Sequence, residues 1–193
     1  MDKDTQAVAD LLNQALAESG LSQAAFAAAL GTSASRFSTY RSGKTKPTAQ
    51  FVLRAARLAH ALCKAREYRI MSAPVTATAI REASDDDWAW RMLLQGRDHL
   101  RLLLDRHDGS EAAWEAAPGP TNEAGFDALL AVLTAHEFEA AGEDPPEWSI
   151  IEALPDPWIP EHPFLERAEI IDETPDYLAR ANIYIPARDL ATA

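Results

Sequence analysis

The sequence predicts a mainly α protein in two parts: an amino-terminal bundle of short helices and a mostly helical carboxy-terminal domain with a minor β element. Three observations lead there. From Val8 to Leu62, apolar residues recur at helical spacing between glycines and capping hydroxyls. Prolines crowd Asp144–Pro163 and forbid long helices there. Charge and aromatic content also change sharply along the chain. Residues 1–72 hold ten basic against five acidic side chains, a net +5, while residues 73–193 hold eight against twenty-five, a net −17. All five tryptophans and most of the prolines fall in the second part. These shifts define a basic domain at residues 1–72, a linker at 73–84 and an acidic domain at 85–193. The overall charge of −12 reads as hostile to nucleic acid only until it is divided.

Val8, Leu11, Leu12, Ala15 and Leu16 share a helical face, and Gly20 follows as the residue able to take positive φ after the last turn. Ser22 caps a second, short helix carrying Phe26, Ala27 and Leu30, which Gly31 ends. Thr32 turns the chain, Ser33 caps a third helix over Ala34–Arg41, and Gly43 closes it. Pro47 and Thr48 open a longer fourth helix that buries Val52, Ala55, Ala56, Ala59 and Leu62.

Over Asp4–Leu62 these residues resemble the phage-repressor (Xre, lambda-repressor-like) family and its helix-turn-helix bundle. The resemblance rests on Gly20-Leu21-Ser22-Gln23, Ala27, Gly31, Phe37 and the run Ser42-Gly43-Lys44-Thr45-Lys46-Pro47-Thr48. Small Ala27 permits a close helix crossing, Gly31 a tight turn, and Phe37 pins the third helix to the core. Thr32 and Arg41 depart from the family, which favours a branched aliphatic residue and an acid at those positions. The resemblance implies binding to double-stranded DNA with the third helix in the major groove. It places Ala34, Ser35, Arg36 and Thr39 toward base edges, and Gln23, Ser33, Arg41, Lys44 and Lys46 on the phosphate backbone. Arg36 alone among the first group can make the bidentate guanine contact that discriminates strongly. Arg54, Arg57, Lys64, Arg66 and Arg69 read as a solvated helix face.

In the acidic part, Asp85, Asp86 and Asp87 precede Ala89, Leu93, Gly96, Leu100 and Leu103 at helical spacing, so the aspartates complement the positive end of a helix. A short helical turn is expected around Trp114 within a loop at Gly109–Pro120, and a strong helix over Asn122–Ala141. Asp144–Pro163 runs as an extended arm, Pro175 opens a short helix, and Ile183-Tyr184-Ile185 reads as a brief edge strand. Trp148 and Trp158 in the arm are candidate partner-binding anchors. Thr174-Pro175, Asn182-Ile183-Tyr184-Ile185 and Leu190 resemble segments of actinobacterial antitoxins encoded beside nucleotidyltransferase-like toxins.

The lone Cys63 has no internal disulfide partner and reads as inert core. Asp2, Asp4 and Asp10 interrupt any leader-like run at residues 1–14, and the longest uncharged stretch, Ser19–Ser35, is too polar to span a bilayer, so the expected location is the cytoplasm without membrane contact. His60, His99, His107, His136 and His162 lack metal-ligand spacing, no glycine-rich phosphate loop occurs, and no nucleophile motif stands out. Neither catalysis, a metal nor a cofactor is therefore expected. The leading expectation is a sequence-specific repressor that is the antitoxin of a basic toxin and autoregulates its operon, with a homodimer as a further candidate partner. The alternatives are a phage or mobile-element repressor, or a ligand-responsive regulator, with a carboxy-terminal dimerisation domain.

Overall fold

A computed structural model describes residues 2–191. The chain divides into two compact units, Met1–Val75 with Leu102–Pro118, and Thr76–Arg101 with Gly119–Ala193.

Local chemistry sets the helices of the first unit. Helix α1 (Lys3–Ser19) starts at Asp2, whose carboxylate accepts the Thr5 amide at 2.8 Å, and stops at Gly20 with φ of 68°. Helix α2 (Gln23–Ala29) is capped by Ser22, α3 (Ala34–Arg41) by Ser33 and α4 (Ala49–Glu67) by Thr48, each hydroxyl accepting a backbone amide one turn ahead. Gly31 and Gly43 adopt φ of 69° and 67°, the left-handed turns that an L side chain disfavours. Beneath them Leu12, Phe26, Ala27, Phe37, Leu58 and Leu62 form the core, with the Phe26 and Phe37 rings edge to face at 5.6 Å. Tyr40 and Phe51 meet similarly at 5.1 Å and join α3 to the start of α4.

A segment distant in sequence completes this core. The 3-10 turn Ser110–Trp114 forms where a helical turn is expected and packs on α4, and Ala112, Ala113 and Ala116 join the core. The Trp114 indole donates to the Met71 carbonyl at 2.9 Å, and Arg57 pairs with Glu115 at 2.7 Å. Arg66 caps the far end of α1, donating to the carbonyls of Glu18 and Ser19. Those oxygens have no partner within the helix, so a guanidinium supplies one. Cys63 is only half-buried, not part of the core.

Where composition reads as a linker over 73–84, the chain forms helix α5 (Ala73–Arg81). Its buried Ala73, Ala77 and Ile80 recur at helical spacing, and Pro74 sits in the first turn, where a missing N–H costs nothing. Helix α6 (Asp86–Leu104) follows. Gly96 on α6 meets Thr76 on α5 so closely that a Cβ there would lie 2.4 Å from Thr76 Cγ2. Helix α7 (Ala124–Ala140) is buried nearly all round through Phe126, Leu129, Leu130, Leu133 and Phe138. Short helices α8 (Arg167–Asp172) and α9 (Asp176–Ala179) close the unit. Among the described residues the β element is a single parallel bridge between Trp158 and Ile183, shorter than the edge strand expected at Ile183–Ile185. Pro155, Pro157 and Pro160 on one side and Pro186 on the other lack the N–H groups that a longer ladder requires. No helix among the described residues is long and apolar enough to cross a membrane.

Candidate nucleic-acid interface

Helices α2 and α3, joined through Gly31 and Thr32, form the pair on which the candidate DNA contacts lie. Ser33, Ser35 and Arg36 are exposed, and Ala34 and Thr39 are half-buried, so one edge of α3 faces solvent along its first two turns. No acid occupies the first turn of α2, α3 or α4. The positive ends of these three helices are therefore unneutralised by their own side chains, which suits an anionic partner. Lys44 and Lys46 are exposed in the loop after α3, with Lys46 Nζ 3.7 Å from Asp2 Oδ2. An ion pair this open is weak and exchanges readily for a phosphate.

Five of the candidate side chains form hydrogen bonds within the protein. Arg36 Nε donates to the Tyr40 hydroxyl at 2.7 Å, which lays its side chain along α3. Arg41 Nη1 donates to Gln23 Oε1 at 2.6 Å, and its Nε donates to Asn13 Oδ1 at 2.7 Å. Gln23 Nε2 in turn donates to the Ala34 carbonyl at 3.2 Å. Gln23 and Arg41, both expected on phosphates, thus also bind α1, α2 and α3 to one another. Thr39 Oγ1 donates to the Arg36 carbonyl at 2.8 Å, and Ser33 Oγ accepts the Arg36 amide at 3.2 Å. Ser35 is an exposed hydroxyl at the start of α3. Two residues missed in the sequence complete the arrangement, Asn13 and Tyr40. Neither carries a motif: Tyr40 lies one turn beyond Arg36 on α3, and Asn13 is found only when α1 and α3 are brought together.

In the second unit Trp148 lies in the 3-10 turn Glu147–Ser149 and is half-buried, as is Trp158. The Trp158 ring lies against Gly125 of α7 and meets Phe126 edge-on at 5.5 Å. Among the described residues no group of three or more histidines, cysteines or carboxylates is arranged to hold a metal.

A family model described as a helix-turn-helix domain matches residues 7–68. No curated protein and no solved structure gives a match. The matched residues cover all but the first turn of α1 and the whole of α2, α3 and α4, and so include every candidate DNA-contacting side chain. The amino-terminal part of this chain is a helix-turn-helix domain, the fold of DNA-binding regulators.

Proposed function

We propose that the protein is a sequence-specific transcriptional repressor of the Xre kind, working without catalysis in the cytoplasm. The carrying observation is the acid-free, exposed edge at the start of α3, with Ser35 and Arg36 outward and Lys44 and Lys46 beside it. Ala34, Ser35, Arg36 and Thr39 meet base edges in the major groove, and Ser33, Lys44 and Lys46 meet phosphates. Fluorescence anisotropy of the full chain with DNA from its own promoter tests this. Lys44→Ala and Lys46→Ala each lower the salt dependence by about one counterion and weaken all sequences alike. Retention of the parent salt slope by both variants would overturn the placement.

For the second domain, the net −17 of residues 73–193 favours a partner that is basic. We read it as the toxin-neutralising part of an antitoxin, with half-buried Trp148 and Trp158 contributing anchors at the rim of the contact. A homodimer would meet two operator half-sites about one helical turn apart. Co-expression with the product of a neighbouring gene decides the antitoxin reading. Growth arrest by that product, relieved by this protein, supports it; no arrest, or arrest without relief, excludes that product as the partner and favours an ordinary repressor.

A further inference from the structure

The second unit contains a cavity of about 700 Å3 that is open to solvent on one side. That volume suits a whole small-molecule ligand, within the usual range of about 300–1,000 Å3, and exceeds what one lysine or arginine side chain would fill. Two kinds of side chain make its walls. Trp90, Phe126, Trp158 and Tyr184 supply aromatic surface. Asp86, Asp87, Glu123, Glu161 and Asp189 supply carboxylates, and no lysine or arginine is among the described residues lining it.

The aromatic wall is held rigidly. A Cβ on Gly125 would fall 2.1 Å from Trp158 Cε2, so the indole rests directly on the α7 backbone. Its own backbone is tied on both sides: the Trp158 amide donates to the Asn182 carbonyl at 2.9 Å, and the Tyr184 amide donates to the Trp158 carbonyl at 2.9 Å. The indole N–H is directed to the Glu123 side chain.

The carboxylates divide by what they already do. Asp85 caps α6 by accepting the Trp88 amide at 2.8 Å, which leaves Asp86 and Asp87 on the cavity wall. Asp189 has a donor in place: His162 Nδ1 accepts the amides of Phe164 and Leu165 at 3.1 and 2.8 Å, so the ring proton resides on Nε2, 3.3 Å from Asp189. Partial desolvation, and then the charge of Asp86, push the surface-exposed Glu123 carboxyl above its ordinary range, while the Trp158 side chain acts in the opposite direction. A cation entering the cavity relieves that crowding, whereas an anion adds to it. A neutral apolar guest fills the space but leaves the carboxylates uncompensated.

We propose that this cavity binds a small organic cation, an ammonium or guanidinium group carried on an apolar or aromatic body. The aromatic faces take the body and the polarised cation together, and the carboxylates hold the charge. This site is separate in chemistry from DNA recognition and does not depend on it.

Calorimetric titration of the full chain with phenyltrimethylammonium, benzyl alcohol and benzoate at constant ionic strength tests the proposal. The expected result is saturable one-to-one binding of the ammonium with a change in tryptophan fluorescence, and binding of the alcohol and benzoate at least about tenfold weaker. Asp87 and Glu161 are exposed at the surface, so Asp87→Asn with Glu161→Gln should leave the fold intact by circular dichroism. That pair should weaken the ammonium about tenfold. Absence of saturable binding, equal binding of the alcohol, or an unchanged affinity in the folded double variant would each overturn it.

Discussion

Arg41, the last residue of α3, donates one guanidinium nitrogen to Gln23 Oε1 at 2.6 Å and another to Asn13 Oδ1 at 2.7 Å. With the Gln23 amide on the Ala34 carbonyl, these bonds tie both ends of α3 to the helix before it. The angle between the two helices sets the attitude of the α3 edge, so a polar clamp at this position is expected to act on DNA binding through that angle, whether or not it also meets a phosphate.

Arg41→Ala is expected to lower folding stability by about 1 kcal/mol, the usual net worth of such hydrogen bonds, and to weaken binding to every sequence. Arg41→Lys should not restore stability, because an ammonium lacks the fork that reaches two acceptors. Urea denaturation alongside anisotropy measures both. Unchanged stability with a salt slope reduced by about one counterion would instead make Arg41 a phosphate contact.

Arg36, proposed to read a base, has its Nε on the Tyr40 hydroxyl at 2.7 Å. Arg36→Ala should relax base choice at one operator position by about 1–3 kcal/mol. Tyr40→Phe removes the internal acceptor but keeps the ring that packs on Phe51. It should therefore preserve discrimination at that position, as read from a panel of operators with single base-pair changes.

Buried Glu137 on α7 accepts Arg101 Nε at 2.8 Å and lies 2.7 Å from Arg101 Nη2. Arg101→Met should cost about 2 kcal/mol, less than for a wholly buried pair because Arg101 is half-exposed. Adding Glu137→Leu removes the stranded carboxylate and should recover most of the loss. Thermal unfolding of the single and double variants gives the comparison.

The exposed Glu123 carboxyl is raised above the ordinary value of 4.5, first by partial desolvation and then by Asp86. An acid whose folded-state value exceeds its unfolded one destabilises the fold when ionised. That cost is present above the folded-state value and fades as pH falls toward 4.5 and below. Glu123→Gln should raise the melting temperature near neutral pH, and the difference from the parent should close in acid. A gain of the same size from about pH 7 to about pH 4 would show that charge is not its cause.

Much of the first unit is legible residue by residue. Ser22, Ser33 and Thr48 cap the helices that their hydroxyls mark, Gly20, Gly31 and Gly43 take positive φ where turns are needed, and α3 spans Ala34–Arg41 as its spacing predicts. Capping and turn chemistry act within about one helical turn, so a single strand of text records them. The helix α5 is harder to see, because nine residues beginning Ala73-Pro74 resemble a linker in composition although their buried positions keep a helical period.

The candidate sites divide the same way. The sequence by itself determined which helix presents Ser35 and Arg36 and which lysines follow it. Only tertiary structure decided that Arg41 turns inward to Gln23 and Asn13, that Ala112 and Ala113 complete a core begun at Leu12, and that Asp86, Glu123, Trp158 and Asp189 share one cavity. Each of those relationships joins residues whose separation along the chain carries no period or motif. They arise because apolar faces must be covered by whatever segment the topology brings over them, and the polar groups that travel with those segments then find partners where they land.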